Sequence, residues 1–207
     1  MQKDPTKDLE TINLENLTIG VFAIVMTLLV LDIKAPNVML SELPSALVAL
    51  WPNLLSYAIS FALLGIYFMG YTAQFRSIQK ADHNSHWISF LFLALVTLIP
   101  FSTALLSKNP YSTLPIIIYS SNLVFIGLAL YWHWINALGN DLLLEDLPQG
   151  LVKYAKLRCL VAPAGYLVAI IVAFFNPMVS LVICAAVPLL YIIPGMQRVF
   201  GMRLAGD

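Results

Sequence analysis

The chain has 207 residues, 60% of them hydrophobic and only 11% charged, and its eleven basic and eleven acidic side chains balance to a formal net charge of zero. A soluble domain carries roughly 25% charged residues, so this chain lacks the polar surface to stand in water. Its neutral balance gives no electrostatic footprint for nucleic acid. What remains is an integral membrane protein with the lipid bilayer as its surroundings. The N-terminus, MQKDPTKDLE, is polar, and no small-residue cleavage site follows the first apolar run, so no cleavable leader is expected. Cys159 and Cys184 sit in apolar runs without metal-type spacing and read as buried thiols.

Charges and prolines divide the chain into six apolar segments, expected as helices over approximately 14–33, 51–75, 86–106, 114–135, 157–175 and 178–197. The last two share one uncharged stretch, Cys159–Gln197, too long for a single span of about 20 residues. Asn176-Pro177 is the natural break, because Pro lacks a donor and the residue before it avoids the helical region. Backbone groups in hydrocarbon must be satisfied internally, so the expected class is an all-α membrane domain covering 1–207. With six spans both termini share a side. That side carries Lys3, Lys7, Arg76, Lys80, Lys153, Lys156, Arg158, Arg198 and Arg203, against Lys34 and Lys108 on the other. The bias predicts cytoplasmic termini, and Trp51, Trp87, Trp132 and Trp134 are placed as interfacial aromatics. The connection Asn136–Leu157 has room for a short surface helix, and Gly65, Gly127 and Gly165 are expected to let neighbouring helices approach.

Catalytic patterns are missing. No nucleophile elbow or Gly-rich phosphate loop occurs, so an enzyme is not expected, nor is a cofactor. His83 and His86, with Asp82 beside them, make at most a thin case for a metal site. Charge is essentially absent mid-membrane, which disfavours ion-coupled transport.

The informative stretch is Gly20–Lys34, GVFAIVMTLLVLDIK. At helical spacing Leu17, Gly20, Ile24, Leu28 and Leu31 share one face, with Thr27 on its edge. One reading is a packing face, with Thr27 bonded back to the carbonyl four residues earlier and Asp32 pairing with Lys34 or ending the helix. The other is a pore-lining face. Ile24, Leu28 and Leu31 would then form an apolar constriction that gates by excluding water, Thr27 hydroxyls would meet a partly dehydrated cation, and Asp32 would gather cations at the mouth.

Gly20-Val21-Phe22-Ala23-Ile24 followed by Thr27-Leu28-Leu29-Val30-Leu31-Asp32-Ile33 resembles the first helix of the endolysosomal potassium channel family (transmembrane protein 175), in its short six-span prokaryotic branch. Tyr57, Ser60, Phe61, Gly65 and Tyr67 are similar to a second-span motif of that family, and Ile99–Leu106 to its Pro-Phe-x-Thr signature. The family's Arg-x-x-x-Phe-Ser-Asp is replaced here by Asn13, Leu17, Thr18 and Ile19. Its partners on the second helix, a Trp and two His, are replaced by Phe68, Gly70 and Tyr71. Both halves of a polar network are lost together, which predicts apolar packing in its place. The resemblance implies a homotetramer in the cell inner (plasma) membrane, with the first helix of each subunit around a central pore. It further implies potassium conduction with modest preference over sodium and no Thr-Val-Gly-Tyr-Gly filter. By position it assigns Ile24, Leu28 and Leu31 to the constriction, Thr27 to selectivity, Asp32 to the pore mouth, and Leu17 and Gly20 to the pore lining. The competing classes are a small-solute or ion-coupled carrier, which needs a polar midplane site, and a non-conducting scaffold.

Overall fold

A computed structural model describes residues 9–144 and 147–192, with only the backbone described at Ile192. Every regular element among the described residues is a helix: α1 Leu9–Leu28, continued by a 3-10 turn over Leu29–Asp32, then α2 Leu43–Ala49, α3 Trp51–Ser77, α4 His83–Thr97, α5 Ile99–Lys108, α6 Thr113–Gly139, α7 Gln149–Ala173 and α8 Pro177–Ile192. Five segments are long and apolar enough to cross a membrane: Leu9–Asp32, Trp51–Ser77, His83–Lys108, Thr113–Gly139 and Gln149–Ala173. Pro177–Tyr191 is a shorter apolar helix. The outer surface of the bundle is itself apolar, with Phe101, Phe125, Ile171, Phe175 and Val182 all exposed. A water-soluble fold inverts that distribution.

Prolines and caps set the helix ends. The span 83–108 is two helices because Pro100 cannot donate a hydrogen bond in the first turn of α5; the chain pauses at Leu98, whose amide turns back to the Leu95 carbonyl at 3.2 Å, three residues earlier. Asp82 opens α4 by accepting from the Ser85 amide at 2.8 Å, and its carboxylate also accepts from Asn136 Nδ2 at 3.0 Å. Burial pushes the Asp82 pKa up, but bonds from the Ser85 hydroxyl and amide and from Asn136 outweigh it and hold the carboxyl below its ordinary value. Asn176 caps α8, its Oδ1 accepting from the Met178 and Val179 amides at 3.0 and 3.2 Å. Pro163 and Pro188 lie inside helices that continue past them, Pro115 sits in the first turn of α6, and Pro194 lies outside the described residues.

Three expectations change. α6 runs on to Gly139 and α7 starts at Gln149, just after Pro148, so most of the Asn136–Leu157 connection belongs to these two long helices. What remains includes a bridge between Ile78 and Leu143, which ties the loop to the end of α3. Trp51, Trp87 and Trp132 are exposed near helix ends, but Trp134 is 1% exposed and donates Nε1–H to the Val152 carbonyl at 3.4 Å. Two residues along a helix is about 200° of rotation, so Trp132 and Trp134 cannot share the outer face. Gly65 is the third: nothing lies within 4 Å of where its Cβ would be, so it provides no close approach within the subunit.

Gly127 and Gly165 do provide one. A side chain at Gly127 would overlap Pro163 of α7, and one at Gly165 would meet Val187 Cγ2 at 2.7 Å. The pair holds α6, α7 and α8 at short range, as small residues do between membrane helices. Gly127→Val is therefore expected to cost about 1–3 kcal/mol, read as a lowered unfolding temperature in detergent, whereas Gly65→Ala leaves that temperature unchanged.

Candidate functional site

α1 has two unlike faces. Thr11, Leu14, Thr18, Phe22 and Val25, with Leu29 in the following turn, are buried at steps of three and four and pack against α3, α4 and α5. Phe22 meets Phe68 with ring centroids 5.3 Å apart and Phe92 at 6.0 Å. Tyr71 stacks on Phe92 at 4.7 Å, and the Thr18 hydroxyl donates to the Leu14 carbonyl at 2.9 Å. Aromatic packing thus fills the region to which the substituted positions Thr18, Phe68 and Tyr71 belong.

The other face carries the residues singled out from sequence. Leu17 is 43% exposed, Ile24 60%, Leu28 44% and Leu31 68%, and Gly20 and Thr27 are exposed beside them. Nothing in the subunit lies within 4 Å of a Cβ built on Gly20. Leu17 also lines the groove shared with α4, while Ile24 and Leu31 are the most open large hydrophobic side chains of the stripe. Its last turn is 3-10, in which side chains three apart eclipse, so Leu28 and Leu31 fall in one column along the axis. Thr27 Oγ1 donates to the Ile24 carbonyl at 2.7 Å, three residues back and not four. That bond uses the hydroxyl hydrogen and leaves the oxygen lone pairs to accept from outside. Asp32 is half-buried and ends the turn, which is one of the structural roles open to it.

The polar residues of the second-span and third-span motifs tie helices together. Thr103 donates to Ser60 Oγ at 2.9 Å, and Ser60 Oγ lies 3.1 Å from Tyr119 Oη, joining α5, α3 and α6. Tyr67 Oη donates to the Leu123 carbonyl at 3.1 Å, and Asn122 Nδ2 reaches Ser102 Oγ at 3.4 Å. One buried cluster escaped the sequence reading: Gln74 Nε2 donates to the Leu130 carbonyl at 3.1 Å and faces Cys159 Sγ at 3.3 Å, while Gln74 Oε1 lies 2.9 Å from His133 Nδ1. The available signal was that a buried polar side chain such as Gln74 or His133 must find a partner across the bundle.

The histidines near Asp82 are otherwise engaged. His86 Nδ1 donates to the Asp82 carbonyl at 2.8 Å, and Trp87 Nε1 donates to His83 Nε2 at 2.9 Å. His86 Nε2 stands 3.9 Å from Glu10 across a groove of about 580 Å³ between α1 and α4. Among the described residues no three His, Cys, Asp or Glu side chains are grouped to hold a metal ion.

An apolar helical bundle with one helix face left uncovered defines a polytopic membrane protein. Residues 13–100 match the family described as endosomal/lysosomal potassium channel TMEM175. A potassium channel of Chamaesiphon minutus is 32% identical over 184 residues, covering 84% of this chain and 90% of that protein. The human endosomal/lysosomal proton channel TMEM175 is 31% identical over 120 residues, 52% of this chain but only 24% of that protein. The crystal structure of a lysosomal potassium-selective channel TMEM175 homologue from Chamaesiphon minutus superposes with a TM-score of 0.80 at 27% identity, over 94% of this chain and 100% of that one. The chain belongs to the TMEM175 family, a family of channels and not of enzymes.

Proposed function

We propose that this protein is a cation channel that passes potassium in modest preference to sodium, through a homotetrameric pore lined by α1. The observation that carries the reading is the uncovered stripe of Leu17, Gly20, Ile24, Thr27, Leu28 and Leu31, opposite a face of the same helix that is sealed into the subunit. In the tetramer four such stripes meet at the axis. Ile24, Leu28 and Leu31 form the constriction; β-branched Ile24 holds its aperture with few rotamers. The column of Leu28 and Leu31 lengthens the dry section, which blocks ions by excluding water. Thr27 offers an oxygen to a partly dehydrated cation, its hydrogen being already committed to the Ile24 carbonyl. Asp32 supplies an acidic ring at the mouth.

The relatives support potassium as the ion, since the bacterial ones bear potassium channel names. The domain is 1–207, a multi-pass unit of the inner membrane with both termini cytoplasmic. In support, Arg76 ends α3, Lys80 follows it and Lys153 and Lys156 lie in the opening turns of α7, and the Ile78–Leu143 bridge holds those two ends together. The test is potassium efflux from liposomes holding the purified protein. Efflux above protein-free vesicles, slower when sodium replaces potassium, is expected; no flux of either ion rejects a channel and leaves a scaffold.

A further inference from the structure

We propose that the slot between α3, α6, α7 and α8 holds one acyl chain of an anionic phospholipid, with the phosphate at Arg158. This goes beyond conduction and depends on none of the pore residues. α7 packs along α6 and α8, while α3 and α7 barely touch. The gap between them is a cavity of about 190 Å³. Its deep wall is hydrocarbon: Leu63, Ile66, Leu130, Ala162 and Val187, with Gly70 leaving extra width. Gln74 and Tyr67, polar side chains on that wall, are already bonded, Gln74 to Leu130, His133 and Cys159 and Tyr67 to the Leu123 carbonyl, and ask nothing of a ligand. A cavity with such walls does not hold water well, and leaving it empty forfeits dispersion contacts.

The slot is polar at one end only. Ser77, Tyr154 and Arg158 line that end. The Arg158 guanidinium stands over the Tyr191 ring, 5.5 Å from its centroid. Lys153 and Lys156 are exposed on the same helix, adding to a local positive field. Ala73 and Leu151 at this end are exposed, which gives a lipid tail its way in. From Gln74 to Leu63 the slot runs about 16 Å along α3, at 1.5 Å per residue. That is a long apolar channel with a cationic end, the shape of an anionic lipid and not of a polar solute. Basic pockets between membrane helices bind lipid head groups by the same physics.

The test is native mass spectrometry of the full-length protein taken from nanodiscs of mixed phosphatidylglycerol and phosphatidylcholine. Wild type is expected to keep one phosphatidylglycerol per subunit in preference to phosphatidylcholine. Ala155→Phe, which fills the slot from α7, loses that lipid, and so does Gly70→Leu, which fills it from α3. Arg158→Gln keeps a bound lipid but loses the preference for phosphatidylglycerol at least fivefold. If a filling variant fails to fold, wild type and Arg158→Gln still decide. Wild type retaining no lipid, retaining both lipids equally, or sharing its preference with Arg158→Gln overturns the proposal. So does a folded filling variant that keeps the lipid, or displacement of the phospholipid by equimolar palmitate, which would assign the slot to free fatty acids.

Discussion

Ile24→Asn is expected to raise potassium flux through liposomes by roughly tenfold, which corresponds to about 1.4 kcal/mol removed from the barrier. The side chain at 24 is 60% exposed in the subunit and makes no part of its buried core, so an amide there does not unpack the helix bundle. In a tetramer it places four polar groups in the narrowest dry ring. Water then enters more readily, and an ion crosses without shedding its whole shell. If the stripe faces lipid or a packing partner, the same amide lies unsatisfied in hydrocarbon; flux then stays flat or falls and the unfolding temperature drops. Flux per protein and thermal unfolding, measured on one preparation, separate the two.

Thr27→Ala is expected to lower the preference for potassium over sodium roughly fivefold, about 1 kcal/mol, the size of one net oxygen contact. The hydroxyl is exposed, and among the described residues it bonds only to a backbone carbonyl of its own helix. Removing it therefore leaves the fold intact and takes away the side-chain oxygen that the proposed constriction would offer a cation. Thr27→Ser keeps the oxygen and keeps the preference, which separates the hydroxyl from the bulk of the β-branched side chain. Bi-ionic reversal potentials in a planar bilayer give the ratio for all three proteins. An unchanged ratio in Thr27→Ala assigns selectivity elsewhere.

The sequence made the helical membrane class and the two faces of α1 legible because both rest on local pattern. An apolar run is read residue by residue, and a stripe at steps of three and four needs only helical geometry. Ser60, Tyr67 and Thr103 were visible as a motif, but their work was not: each bonds a helix more than forty positions away. Trp134 was misread because position near a span end says nothing about rotation about the helix. Gly65 was misread because a glycine in a membrane helix marks a close approach only where another helix happens to lie. The slot beside α7 was out of reach for a further reason: it exists because two helices stand apart, and no residue pattern encodes a gap. Gln74, His133 and Cys159 come from three helices, and no local pattern says that they meet.

The most direct test is a cysteine scan of α1, on a background in which Cys159 and Cys184 are replaced by Ala, with potassium flux read before and after silver ions. Silver block at positions 17, 20, 24, 28 and 31, with positions 14, 18, 22, 25 and 29 unaffected, is the predicted result. Block on the second set, or on a different helix with α1 silent, contradicts a pore built from this stripe.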